Sequence, residues 1–341
     1  MIGVVIVPER SSSLAPLNEN RPDCLLPILD RNSLDLNLSA LSEFCAEIYV
    51  VVDCETETVK AAVETRENVH VISASECAGA VQNAPALAFV MANVYMPVPV
   101  LKSLANPDAG LFRSQTGCLI AGRLEGPAVS TFDVASTQDL SSASETIEDV
   151  IELRYPWNLL EANVAALKSL EPSQVDAVIE DGVTLSGDVY VGPGTRIKSG
   201  TYIEGPVYIG SDCVIGPGAY IRPDTVIADR VTLGHAVEIY DSVVFEDTTG
   251  KHRSYIGHSV IGSGVNLGCG FITSDYRHDG ATHRTLIDGE VVDSGRRKLG
   301  AFLGDSVMTG IQTLVYPGRK IWGGCTTLPG EVVKKDVGRL S

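Results

Sequence analysis

The chain has 341 residues, enough for two domains at roughly 150 residues each, and either would have room for its own core. Its 26 Lys and Arg against 43 Asp and Glu leave a net charge of -17, which repels nucleic-acid and acidic membrane phosphates and excludes binding to them through charge. At 44% hydrophobic and 20% charged residues, disorder and a fibrous protein are excluded as well. No apolar run reaches the ~18 residues of a bilayer span, and MIGVVIVPER carries no basic leader, so a cytoplasmic protein without a membrane partner is expected. The eight cysteines stand singly, with neither a CxxC pair nor short-spaced histidines, which predicts buried thiols rather than disulfides or a structural zinc.

From the N-terminus, IGVVIV, LNLSALSEFCA, EIYVVVD, ETVKAAVE and VHVIS read as strand, helix, strand, helix, strand, which predicts an α/β domain with a parallel sheet over residues 1–154. A loop rich in Ser and Thr, STQDLSSASET, precedes apolar residues at helical spacing from Tyr155 to Leu170, predicting a connecting helix within 155–172. From Ile179 the period changes. Ile179, Leu185, Val191, Ile197, Ile203, Ile209, Ile215, Ile221, Ile227, Leu233, Ile239 and Phe245 recur every six residues, and Ile261, Leu267, Leu303, Thr309, Val315, Ile321, Thr327 and Val333 continue in a second phase. Neither a helix nor a single strand has that period, whereas short strands joined by tight turns do, each turning one aliphatic residue inward. Residues 173–341 are therefore expected to form a parallel β-helix of hexapeptide repeats, and the interruption at 274–302 to project as a loop or hairpin.

The stretches IRPDTVIADRVTLGHAVEI, HRSYIGHSVIGSGVNLGCGFIT and SGRRKLGAFLGDSVMTG resemble, in that order, the left-handed β-helix acetyltransferase domain of the GlmU family. These are bifunctional sugar-1-phosphate nucleotidyltransferase/acetyltransferases, and the archaeal-type relatives are the most similar. The first half resembles the family's nucleotidyltransferase domain in degenerate form. PLNENRP and LLPIL keep the frame, but Glu9 and Ser11 stand where the phosphate loop has glycines, Ser13 where it has arginine, and Asp23 where lysine is usual. Asn93 replaces a metal-binding aspartate. A carboxylate beside a triphosphate repels it, lost glycines block close approach of the backbone, and Mg²⁺ loses an anionic ligand, so nucleotidyl transfer is expected to be lost.

The resemblance implies a set of site residues. His252 falls on the catalytic base and Glu238 on the acid that orients it, a pairing that fixes the imidazole tautomer. Arg222, Tyr255, Asn266, Asp275, Tyr276 and Lys298 fall on the sugar-phosphate site, and Cys269, Gly304, Gly310 and Ile311 on the acetyl-coenzyme A site. Two positions depart, since Tyr240 replaces a lysine and Asp275 an asparagine, and Arg296, Arg297 and Lys298 are the cations that could compensate. His258 stands where an acidic residue is usual. With His235 and His252 it also permits a zinc reading of the kind found in γ-class carbonic anhydrases, although nothing else of that site is recognisable.

The expected function is acetyl-CoA-dependent N-acetyl transfer to an amino-sugar 1-phosphate by a homotrimer, with no resident metal and Mg²⁺ required only if the N-terminal domain is active. The alternatives are a working sugar-1-phosphate nucleotidyltransferase using UTP or dTTP, and a non-catalytic sugar-nucleotide sensor or assembly protein.

Overall fold

The apolar run Ile2–Ile6 forms β1, at the centre of a seven-stranded sheet. The chain then lays down α1 (Ser33–Leu41), β2 (Glu47–Val51), α2 (Thr56–Val63), β3 (Val69–Ile72) and α3 (Ala74–Val81). The remaining strands are β4 (Ala86–Met91), β5 (Leu111–Arg113), β6 (Leu119–Glu125) and β7 (Ser144–Thr146), giving the order β7-β5-β6-β4-β1-β2-β3. Strands β1 to β4 are mutually parallel, as the alternation of strand and helix requires. The sheet is mixed rather than wholly parallel, because β6 runs against both β4 and β5. The reason is local: the turn 114–118, closed by Ser114 N donating to Cys118 O at 2.9 Å, is too short for anything but a reversal.

The computed structural model describes residues 1–140, 144–170 and 174–338. Residues 141–143 of the Ser/Thr-rich loop and 171–173 at the end of the expected connecting helix lie outside these. By its contacts the chain divides into two units, the first made of Met1–Arg10, Arg21–Leu26 and Arg31–Leu153, the second of Ser11–Asn20, Pro27–Asp30 and everything from Arg154 onward.

The second unit is a parallel β-helix. Its first face has five strands from Val178–Ile179 to Thr249–His252, its second has eight from Thr184–Ser186 to Val332–Val333, and its third has seven from Val189–Val191 to Lys320–Ile321. The aliphatic residue of each hexad points into one core, where Ile197, Ile203, Ile209, Ile215, Ile221, Ile227, Leu233 and Ile239 are all fully buried. Helix α4 (Pro156–Lys168) belongs to this unit and packs on the third face, with Trp157 6.5 Å from Phe302 between ring centroids. The stretch 274–302 carries an antiparallel hairpin of Arg284–Ile287 and Glu290–Asp293.

The phase change comes one residue earlier than the hexad count gives. Ile221 pairs with Ile239, eighteen residues on, but Ile227 pairs with Val244 and Ile239 with Ile256, seventeen residues on. Val244, not Phe245, therefore holds the inward position. The missing residue is absorbed at the corner between the second and third faces, where Asp241 (φ 41°) and, one coil later, His258 (φ 50°) adopt left-handed backbone. Asp and His tolerate that conformation better than most side chains.

Candidate functional site

Stacking of the coils brings most of the predicted acceptor residues together on the second face. Arg222 Nη1 donates to Glu238 Oε1 at 2.9 Å, and its guanidinium lies over the Tyr240 ring at 4.3 Å. Lys298 Nζ approaches the same ring at 5.7 Å. Tyr255 sits beside Glu238 in register and donates its hydroxyl to Asp275 Oδ2 at 2.9 Å. Burial, and then that carboxylate, push the Tyr255 phenol well above the ordinary tyrosine range, so it remains a donor at neutral pH. Tyr276 pairs through its backbone with Lys298 and stays half exposed, lining with Ser274, His278 and Tyr316 a cavity of about 550 Å³. Arg222 and Lys298 thus flank the ring of Tyr240, the residue that stands in place of a lysine, with the bonded pair Tyr255–Asp275 on the coils that follow.

The other predicted residues lie elsewhere. His252 ends a first-face strand beside His235, and its exposed imidazole takes no hydrogen bond among the described residues. Coil stacking continues that corner upward. Gly270 N donates to His252 O at 3.4 Å and Gln312 N to Cys269 O at 2.7 Å, so His252, Cys269 and Ile311 form one column, with Gly310 adjacent. Within the chain Glu238 is bonded to Arg222, not to His252: it opens a second-face strand one coil below Tyr255, while His252 ends a first-face strand. Asn266 belongs to the first face and accepts from Thr249 Oγ1 at 3.1 Å. Gly304 does not share the Ile311 corner. It is buried on the third face, where an added Cβ would lie 3.0 Å from the Pro16 carbonyl oxygen.

The three histidines also have separate surroundings. His235 Nδ1 lies 3.2 Å from the Pro217 carbonyl, and His258 Nδ1 lies 2.5 Å from Asp241 Oδ2. Among the described residues no three His, Cys, Asp or Glu side chains are placed to hold a metal. Asp241 was not among the expected site residues, and Arg296, expected as a compensating cation, donates from Nη2 to Asp241 Oδ2 at 2.6 Å instead. The signal was present as Asp224, Asp241, His258 and Asp275 at a constant interval of seventeen, the repeat of the shortened coils.

The segment that resembles a phosphate loop clusters with the second unit. Ser12 and Ser13 Oγ donate to Asp288 Oδ2 at 2.8 and 3.1 Å, Asn20 Nδ2 donates to Asp305 Oδ2 at 3.1 Å, and Glu19 Oε2 accepts from Gly323 N at 2.7 Å. Arg10 is paired with Glu55. Asn93 offers only a neutral side-chain amide where an anionic ligand is needed, and its backbone carbonyl accepts from Leu153 N at 2.9 Å. These residues do not fit a Mg²⁺-nucleotide site.

A family model described as the GMPPB C-terminal domain matches residues 203–317, all within the β-helix. A bifunctional sugar-1-phosphate nucleotidylyltransferase/acetyltransferase of Sulfurisphaera tokodaii is 43% identical over 188 residues, covering 55% of this chain and 47% of that protein. Bifunctional GlmU proteins of Methanococcus maripaludis and Methanocaldococcus jannaschii are 45% identical over 170 residues and 35% over 182, covering 50% and 53% of this chain and 41% and 44% of theirs. The chain spans about half the length of the curated relatives it matches. Over that half it is a homologue of the archaeal-type GlmU bifunctional transferases.

Proposed function

We propose that the chain is an acetyltransferase that moves an acetyl group from acetyl-coenzyme A to the nitrogen of an amino-sugar 1-phosphate, and that its first unit no longer transfers nucleotides. The observation that carries this reading is the placing of Arg222 and Lys298 on the Tyr240 ring beside the bonded pair Tyr255–Asp275, in a chain about half of which is similar to proteins named as nucleotidylyltransferase/acetyltransferases. Arg222 and Lys298 supply the cations a sugar phosphate needs, and Tyr255 supplies a hydroxyl donor. His252 takes a proton from the attacking amine as the nitrogen lone pair forms the C–N bond; the C–S bond then breaks, and the departing thiolate receives that proton from the imidazolium, leaving the amide and a free thiol. The column of His252, Cys269 and Ile311 would carry the thioester. His252 ends a first-face strand before the corner and the acceptor cluster lies on the second face after it, and a neighbouring copy in a homotrimer would complete the site between them.

Loss of nucleotidyl transfer is supported by Ser12 and Ser13, whose hydroxyls are already given to a carboxylate. A non-catalytic sugar-nucleotide sensor is the second reading, favoured by the Arg222–Glu238 pair, which occupies part of the cation that would receive phosphate. One experiment separates them. The protein is incubated with glucosamine 1-phosphate, acetyl-coenzyme A, UTP, dTTP and Mg²⁺, and free thiol and pyrophosphate are followed separately. Thiol without pyrophosphate supports the proposal, pyrophosphate supports a working nucleotidyltransferase, and neither product supports the sensor.

A further inference from the structure

Three positions of the acceptor cluster depart from the family the chain resembles: Tyr240 for lysine, His258 for an acidic residue and Asp275 for asparagine. In the fold His258 touches both of the others. The Tyr240 ring meets the His258 ring edge-on at 4.9 Å between centroids. His258 is 4% exposed and lies between two carboxylates, with Asp241 Oδ2 2.5 Å from Nδ1 and Asp275 Oδ2 3.5 Å from Nε2. Nε2 is itself buried and takes no hydrogen bond. The oxygen it faces is the one that accepts from the Tyr255 hydroxyl.

The column explains why a histidine belongs there. Asp224, Asp241 and Asp275 stand on successive corners with His258 between the last two, and Arg296 closes the remaining side of Asp241, reaching Glu161 at 3.7 Å with its other nitrogen. Burial, and then Asp241, push the Asp224 carboxyl above its usual range, so carboxylates in this column feel one another. An acidic residue at 258 would place four anions in a row. A carboxylate only accepts hydrogen bonds, so an imidazole nitrogen that faces one is matched to it only as an N–H.

We propose that His258 is a positioning residue: it holds the Asp275 carboxylate, and through it the Tyr255 hydroxyl, in the geometry that binds the acceptor. Asp275 keeps 14% of its side chain exposed, and its other oxygen has no hydrogen bond among the described residues. That oxygen can only accept, so the acceptor group meeting it must be a donor, the hydroxyl or ammonium of an amino sugar.

The kinetic test rests on the acetyltransferase reading. His258→Gln should raise KM for glucosamine 1-phosphate at least tenfold while changing kcat less than threefold and KM for acetyl-coenzyme A less than twofold. In an Asp275→Asn background the same substitution should add less than twofold, because the carboxylate that His258 would hold is gone. Equal effects of His258→Gln in both backgrounds would overturn the proposal, as would a uniform loss of kcat with KM unchanged. If the wild-type protein releases no thiol, the acetyltransferase reading fails, and the positioning contact is then judged by proton NMR of the imidazoles. Wild type should show two exchange-protected N–H signals from His258, one lost in Asp241→Asn and the other in Asp275→Asn. A single N–H signal, untouched by Asp275→Asn, would refute the contact. This arm does not depend on His258→Gln folding.

Discussion

At the scale of single residues, His252 and Glu238 make separable predictions. His252→Ala should lower thiol release about 10² to 10⁴-fold, the usual contribution of a general base, with acetyl-coenzyme A affinity by calorimetry unchanged. Full thiol release by this variant would make His252 a surface residue at a coil corner. Glu238→Gln tests which partner the carboxylate serves. Its bond to Arg222 predicts a rise in KM for the sugar phosphate, whereas a carboxylate that orients His252 would lower kcat instead. Arg222, Tyr255, Asp275 and Lys298 were legible in the sequence because stretches of characteristic spacing carry them. Asp241 was not, because it gains its meaning from a contact seventeen residues away, and although Arg296 stood out as a cation, its pairing with Asp241 depends on a hairpin whose path no hexad count can give.

At the scale of elements, the hexad rhythm revealed the β-helix because each coil side must bury one aliphatic residue, and that requirement writes itself into the chain at fixed intervals. The rhythm could not reveal where a corner loses a residue, since Val244 and Phe245 are both apolar and both buried. Strand Lys320–Ile321 on the third face yields a prediction about stability. Lys320 is 3% exposed, and burial, the largest influence, holds its ammonium below the usual lysine range despite Asp336 nearby. No carboxylate forms an ion pair with its Nζ among the described residues. Because the folded value is depressed, the protonated amine destabilises the fold at neutral pH, and stability rises as pH climbs from the folded value to the ordinary 10.5. Lys320→Met should therefore stabilise at pH 7 by about 1 kcal/mol, or roughly 2–4 °C in Tm. The advantage should shrink at pH 10, where the wild-type amine sheds its proton. Thermal melts at the two pH values decide this, and a lower Tm for the variant at pH 7 would show that the amine has a favourable role.

At the scale of the molecule, the proposed function predicts that the first unit is silent toward nucleotides. Calorimetry with UTP or dTTP and Mg²⁺ should give no binding heat. Restoring glycine at Glu9 and Ser11 and arginine at Ser13 should not produce pyrophosphate while Asn93 remains, and micromolar affinity in the wild type would sink this reading. Assembly is the larger question, because it decides whether the acetyltransferase site can exist at all. The corner that carries His252, Cys269 and Ile311 is bordered by large apolar side chains left open, with Met308 56%, Ile311 55% and Leu328 74% exposed. Such a strip on a rigid coil stack calls for a covering surface, and parallel copies of the same stack supply one by cyclic symmetry. Light scattering should give three times the chain mass. Leu328→Glu, at a position without core contacts, should reduce that mass while leaving the far-ultraviolet circular dichroism unchanged, and thiol release should fall with it if His252 acts on an acceptor held by the neighbouring copy. A monomeric wild type that still releases thiol would show that one chain closes its own site, and the separation of His252 from the Tyr240 cluster would then have to be bridged by movement of the 274–302 stretch.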